Sequence, residues 1–115
     1  MIINKVEIGN LDLYDADAME KYENALAEVA KKNNEAEKVA KTSEKIRQQC
    51  NIIFDFFNSL FGTDTDVKIF GGKTNLLLCL KALEELINQV NEQKGELDKI
   101  FNKYSPNRAS RRSKK

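Results

Sequence analysis

The sequence predicts a mainly α-helical protein, in which an N-terminal β-hairpin precedes a bundle of two or three long helices and a disordered basic C-terminal tail. No glycine or proline interrupts residues 15 to 61. Apolar residues recur there, and again after residue 75, at the three- and four-residue spacing of a helix face. The only proline, Pro106, follows the last helical pattern. We therefore predict one helical domain over residues 1–104 and a flexible basic tail over residues 105–115.

Length and composition agree with a single small domain. The chain has 115 residues, of which 41% are hydrophobic and 32% are charged. That balance excludes disorder of the whole chain and favours helices with solvated faces. No segment approaches the ~20 consecutive apolar residues that span a bilayer, and the first residues do not resemble a signal peptide. We therefore expect no membrane association and a cytoplasmic location.

The first fourteen residues predict a small β-hairpin. Apolar and polar residues alternate over residues 2–8 and over residues 11–14, and Gly9-Asn10 between them is typical of a tight turn. An isolated two-stranded hairpin is only marginally stable in water. Its apolar face is therefore expected to lie on the helices or on another subunit.

Residues 16 to 61 predict either one long helix or two shorter ones. Asp15 or Asp17 can cap the start. An uninterrupted helix would measure roughly 70 Å at ~1.5 Å per residue, which exceeds the width of a domain of this size. The apolar stripe also weakens over residues 30 to 43, where we expect loose packing or exposure. Thr42 and Ser43 can each cap a second helix, which favours a break there over one projecting helix.

The strongest core signal lies in the second half of this region. Apolar residues at helical spacing are joined by further phenylalanines that widen the apolar face, namely Ile46, Cys50, Ile53, Phe54, Phe56, Phe57, Leu60 and Phe61. Core packing is the favoured interpretation. The alternative is that Phe54, Phe57 and Phe61 form part of a groove that binds a segment of another protein.

A turn, a short helix and a last long helix complete the predicted body. The short helix covers Asp66 to Phe70 and ends at Gly71-Gly72, and Thr74 or Asn75 can cap the last helix. A seven-residue apolar repeat follows, made by Leu76, Leu80, Leu83, Ile87, Val90, Leu97, Phe101 and Tyr104. This coiled-coil-like stripe, the hairpin edges and the long first helical region predict a homo-oligomer.

Motifs for catalysis or metal binding are weak. Gly72-Lys73-Thr74 imitates the end of a phosphate-binding loop, but the glycine required five residues earlier is Val67. The chain has no histidine, and Cys50 and Cys79 are too far apart in sequence for a zinc or redox motif. We expect both cysteines to be reduced and buried, and we expect no enzyme activity, no cofactor and no metal.

The basic tail gives the chain an uneven charge distribution, with the excess of acidic residues in the body. From Asn102 onward there are six Lys or Arg and no acid, so residues 1 to 101 hold 13 basic and 18 acidic residues. Arg108, Arg111 and Arg112 are the residues expected to bind an acidic protein or a nucleic acid, because guanidinium groups bind carboxylates and phosphates in bidentate fashion. Nucleic acid is the second choice, since so short a tail would bind it weakly.

Several segments together resemble a known group of phage proteins. They are Asp15 to Glu23 after the hairpin, Phe54-Asp55-Phe56-Phe57 with Phe61-Gly62, Phe70 to Asn75, and Tyr104 to Ala109 with Arg111-Arg112. In this order they resemble small proteins encoded among the tail genes of prophages in Gram-positive bacteria, grouped with the siphophage-type tail assembly chaperones. The resemblance covers essentially the whole chain.

The resemblance implies a non-enzymatic factor in the bacterial host cytoplasm. Such a factor binds the tape measure protein, delivers tail tube subunits during assembly and is absent from the finished virion. A frameshifted longer product is common in that class, and Lys114-Lys115 would suit a slippery codon pair. The alternatives are a small nucleic-acid-binding phage regulator that acts through the tail, and a structural component of the virion.

Overall fold

The computed structural model describes residues 1–36 and 38–104, and most of these residues are helical. The elements in chain order are β1 (Ile2–Ile3), β2 (Val6–Glu7), α1 (Ala16–Glu35), α2 (Thr42–Phe61), α3 (Thr65–Phe70) and α4 (Leu76–Tyr104). The predicted fold class, a small N-terminal hairpin followed by a helical bundle, is confirmed. Within the described ranges, no helix combines the length and the apolar character needed to cross a membrane.

The hairpin is present, but its turn lies earlier than predicted. β1 and β2 are antiparallel, with Ile3 opposite Val6, so the turn is Asn4-Lys5 and the prediction of a turn at Gly9-Asn10 is wrong. Asn4 and Lys5 have φ values of 52° and 65°, the left-handed conformation of a type I′ turn. Tertiary contacts hold this turn: the Asn4 backbone N–H donates to Glu85 Oε1 at 2.9 Å, and Asn4 Nδ2 donates to the Ile69 carbonyl at 2.9 Å.

The hairpin and the loop after it lie on the helical body. Ile3 and Leu13 are buried in the core. Gln89 Nε2 donates to the Ile2 carbonyl at 2.9 Å, and the Leu13 N–H donates to Gln93 Oε1 at 3.3 Å. Burial and hydrogen bonding to α4 together supply the support that an isolated hairpin lacks.

The long helical region divides into two helices, as the favoured alternative predicted. α1 ends at Glu35 and α2 begins at Thr42. Asp15 caps α1, because its Oδ2 accepts a hydrogen bond from the Ala18 N–H at 3.0 Å. The expected cap at Thr42 or Ser43 is wrong: the capping position is Lys41, which forms no side-chain cap.

The turns around α3 agree with the predicted glycine and asparagine signals. α3 begins one residue earlier than predicted and ends at Phe70. Gly71 caps it, with a left-handed φ of 61° and an N–H that donates to the Val67 carbonyl at 2.7 Å. Asn75 caps α4 by accepting a hydrogen bond from the Leu78 N–H at 3.2 Å. Gly71 to Asn75 is therefore a joint between two helices.

Aromatic rings fill the centre of the bundle, where α2 packs against α1, α3 and α4. Phe57 is fully buried, with Phe56 and Phe70 at centroid distances of 5.4 and 6.1 Å. Tyr22 from α1 lies 6.4 Å from Phe56 in an edge-to-face arrangement. Such pairs add about 0.5–1.5 kcal/mol each to the burial of apolar area.

The buried face of α4 coincides with the predicted stripe only in part: Val90 is buried and Leu83 packs against the core, as predicted. The buried residues are Cys79, Ala82, Leu86 and Val90, whereas Leu80 is 49% exposed. A shift of one residue turns a helix by about 100°, so the predicted stripe lies toward one edge of the contact. Cys79 and Ala82 are small, which allows α4 to approach α2 closely.

Candidate protein-binding surfaces

An apolar groove runs between α1 and α2 on the outside of the bundle. Its floor is formed by Ala25 and Val29 of α1 and by Ile52 and Phe56 of α2, and its volume is about 340 Å³. Ala25, Ile52 and Phe56 are also buried, so the same side chains belong to the core and to the floor. The groove is therefore built on rigidly packed residues.

Charged residues of both signs line the edges of the groove. Lys21, Glu28 and Lys32 lie on α1, and Asp55 lies on α2. Lys32 Nζ reaches Asp55 Oδ2 at 3.3 Å, and both side chains are well exposed. An exposed ion pair of this kind stabilises the fold by about 0–1 kcal/mol, so an incoming chain can displace it. An apolar floor with a charged edge suits an amphipathic helix.

The C-terminal end of α4 presents a second apolar surface. Leu97 is half-buried, and from residue 98 to residue 104 every residue is exposed. A helix that is exposed on all sides for two turns extends beyond the body. Ile100, Phe101 and Tyr104 are 47%, 56% and 74% exposed, so three large apolar side chains are exposed within the last two turns of the helix.

The predicted partner-binding phenylalanines lie mainly in the core. Phe57 is fully buried, and Phe54 and Phe61 are partly buried and packed against the core cluster. Phe54 lies 5.3 Å from Phe70 between ring centroids. The side chain of Phe57 therefore offers no surface to a partner, because the bundle itself uses it for packing.

The other predicted partner-binding residues, Arg108, Arg111 and Arg112, lie outside the described residues.

Sequence reasoning missed the groove. Ala25 belongs to no large apolar cluster, and Val29 lies directly before the stretch in which the apolar stripe weakens. The signal that could have predicted the groove is a helix face on which alanine alternates with a larger apolar residue. Small side chains on such a face leave space at the surface when a second helix lies beside it.

Cys50 and Cys79 meet across the contact between α2 and α4, although they are distant in sequence. Both are free thiols and both are buried, as predicted. Burial, together with the neighbouring Cys50 thiol, raises the pKa of Cys79 to about 12. Cys79 therefore stays protonated near neutral pH, and a protonated thiol is a poor nucleophile.

Acidic and sulfur side chains form no candidate metal centre in residues 1–36 and 38–104, where no group of three His, Cys, Asp or Glu residues is arranged to hold an ion. The joint that imitates a phosphate-binding loop has its backbone engaged locally: the Lys73 N–H donates to the Phe70 carbonyl at 3.1 Å.

The described elements define a small helical protein with a hairpin and with apolar surfaces on two sides of the bundle. The chain belongs to DUF6673, a family of unknown function, which matches residues 4–115. Neither the curated proteins nor the solved structures include one that matches the chain.

Proposed function

We propose that this protein is a non-enzymatic tail assembly chaperone of a phage, which acts in the bacterial host cytoplasm and binds the tape measure or tail tube protein. The groove between α1 and α2 is the observation that carries the proposal. The resemblance of the whole chain to tail assembly chaperones supplies the class of partner.

The groove supports binding of a helix by its shape and chemistry. Val29 and Ile52 offer apolar contact along the floor, while Glu28 and Asp55 offer carboxylates at the edge. A partner helix with an apolar stripe and flanking charges of both signs would match the floor and the edge, where Lys21 and Lys32 lie beside these carboxylates. A chaperone needs reversible contacts of this kind, because it must release its partner when the tail is complete.

Binding in the groove costs little rearrangement of the bundle. Phe56 is anchored by ring contacts to Tyr22 and Phe57, so the floor is preorganised. The movable part is the exposed pair Lys32 and Asp55 at the edge. A preorganised site loses less conformational entropy on association, which favours affinity for a given contact area.

The test is capture of purified tape measure and tail tube proteins by the purified chain, after nuclease treatment. Val29→Glu places a charge on the groove floor and retains helix propensity. The matched control is Ala30→Glu, which adds the same charge to an exposed position of the same helix. We expect the native chain and the control to bind and Val29→Glu to lose at least about tenfold in affinity, about 1.4 kcal/mol.

Two outcomes would contradict the proposal. One is failure of the native chain to bind either protein, and the other is equal binding by Val29→Glu and Ala30→Glu while circular dichroism shows both to be folded. Retention on DNA or RNA at low salt, lost on deletion of residues 106–115, would favour the nucleic-acid-binding regulator instead. Detection of the chain in purified particles by mass spectrometry would favour a structural virion component.

A further inference from the structure

The apolar face of α4 continues beyond the part of the helix that the body covers. Leu97, Ile100, Phe101 and Tyr104 follow the spacing i, i+3, i+4 and i+7, which places them on one face. Three of them are exposed by about half or more. Solvent is a poor environment for two aromatic rings and a branched aliphatic side chain on one helix face.

We propose that a second copy of the chain covers this face, and that the two α4 ends pack antiparallel about a two-fold axis. In this arrangement Leu97 of one copy lies opposite Tyr104 of the other, and Ile100 lies opposite Phe101. All four apolar residues of each copy then contact an apolar residue of the second copy. The inference concerns α4 and does not depend on the proposed partner of the groove.

The charges beside the apolar face favour the antiparallel orientation. Glu96 and Lys103 are seven residues apart and therefore lie on the same flank of the helix. Antiparallel packing brings Glu96 of one copy beside Lys103 of the other, and the two-fold axis repeats this pair. Flanking charges of this kind set the orientation of paired helices.

Charge also disfavours the parallel alternative. Residues 105–115 contain five Lys or Arg and no acid. A parallel pair would bring these two basic segments out of the helices side by side, and like charges at short range repel. An antiparallel pair places them at opposite ends.

The Glu96 carboxylate is available for a second contact. It lies 3.5 Å from Lys99 within the same chain, and both side chains are largely exposed. An exposed pair three residues apart is worth only a few tenths of a kcal/mol in general, so Glu96 can also contact a lysine of another copy.

The contact is small, and this determines the strength of association. Two turns of helix from each copy bury less than the ~1,200 Å² that stable complexes require. We therefore expect a reversible dimer with a dissociation constant on the order of 100 µM, dependent on protein concentration.

Analytical ultracentrifugation of the full chain tests this inference. The mass should rise from the monomer value of 13.1 kDa toward twice that value between about 10 µM and about 1 mM. Phe101→Glu should remain monomeric over the range. The matched control Leu80→Glu changes an exposed apolar residue elsewhere on α4 and should dimerise like the native chain.

A charge exchange tests the orientation. Glu96→Lys and Lys103→Glu alone should each weaken the dimer about three- to tenfold. Each single change replaces both symmetry-related ion pairs by pairs of like charge. The double variant should regain most of the native affinity, which a parallel pair would not allow.

Four outcomes would overturn the inference. They are a native chain that stays monomeric at about 1 mM, a dimer abolished by Leu80→Glu and retained by Phe101→Glu, a double variant no better than the single ones, and a dimer that forms only after deletion of residues 106–115. The last result would mean that the chain's own tail covers the face.

Discussion

The two halves of α4 share one helix and one pattern of apolar spacing, yet they have opposite surroundings. In the first half, Cys79, Leu86 and Val90 are fully buried against the body. In the second half, Phe101 is 56% exposed and Tyr104 is 74% exposed. Periodicity therefore identifies the apolar face of a helix. It does not tell whether that face packs within the chain or against another molecule.

Residue type separates the two halves better than spacing does. The buried contact includes two small side chains, Cys79 and Ala82, which allow two helices to approach closely. Large aromatic side chains dominate the exposed end. Aromatic residues are enriched in protein interfaces and in their energetic hot spots, which agrees with a contact between molecules at Phe101 and Tyr104.

The largest expected contrast compares two phenylalanines. Phe57→Ala removes a fully buried ring and should lower the free energy of unfolding by about 3–5 kcal/mol. Phe101→Ala removes an exposed ring and should change it by less than about 1 kcal/mol at a concentration where the chain is monomeric. Urea denaturation of both variants measures the difference, and similar losses would show that residue 101 packs on the body.

A pair of leucines tests the register of α4. Leu86→Ala should lower the free energy of unfolding by about 2–5 kcal/mol, because Leu86 is fully buried. Leu80→Ala should lower it by less than about 1 kcal/mol. Urea denaturation of both variants measures the two changes. A larger loss of unfolding free energy for Leu80→Ala than for Leu86→Ala would support the register that the seven-residue repeat predicted.

The buried thiol in the first half predicts weaker stability in alkali. Burial raises the pKa of Cys79 from an ordinary 9.0 to about 12 in the folded chain. Between these values the unfolded chain releases a proton that the folded chain keeps, so stability falls as pH rises from about 9 toward 12. The pKa of Tyr22 is also raised by burial, and its effect has the same sign at higher pH.

Denaturation as a function of pH measures this dependence. Cys79→Ala should unfold with a shallower loss of stability between about pH 9 and pH 11 than the native chain. The control Tyr22→Phe should keep the part of the loss that Cys79 causes. Equal slopes for Cys79→Ala and the native chain would contradict the assignment.

The smallest expected effect concerns the junction between the two halves. Gly95 lies within α4, and a Cβ atom added there would point into open space, with no atom within 4 Å apart from its own stretch of helix. Gly95→Ala should therefore raise helix stability by about 0.5–1 kcal/mol. The control Gly71→Ala should lower stability instead, because Gly71 has a left-handed φ of 61° that a residue with a Cβ atom adopts only with strain. A thermal melt of each variant gives the sign, and destabilisation by Gly95→Ala would indicate an undetected close contact.

Features of local chemistry were predictable from the sequence. Asp15 and Asn75 cap helices, and Gly71 ends one, because each property depends on a residue and its immediate neighbours. The break before Thr42 was predictable because an unbroken helix would be longer than the width of the domain.

Features that depend on tertiary contact were not predictable in the same way. The hairpin turns at Asn4 rather than Gly9, because contacts with Glu85 and Ile69 hold Asn4 in a left-handed conformation. The groove was missed for the same reason: Val29 lines it only because α2 lies beside α1. A single sequence contains no direct record of such long-range neighbours.

Hydrogen–deuterium exchange at two protein concentrations tests most directly whether the two halves of α4 make different kinds of contact. Residues 79–90 should exchange slowly at both about 10 µM and about 1 mM, because the fold itself protects them. Residues 98–104 should exchange rapidly at the low concentration and several times more slowly at the high one. Exchange of residues 98–104 that is the same at both concentrations, whether fast or slow, would contradict the account.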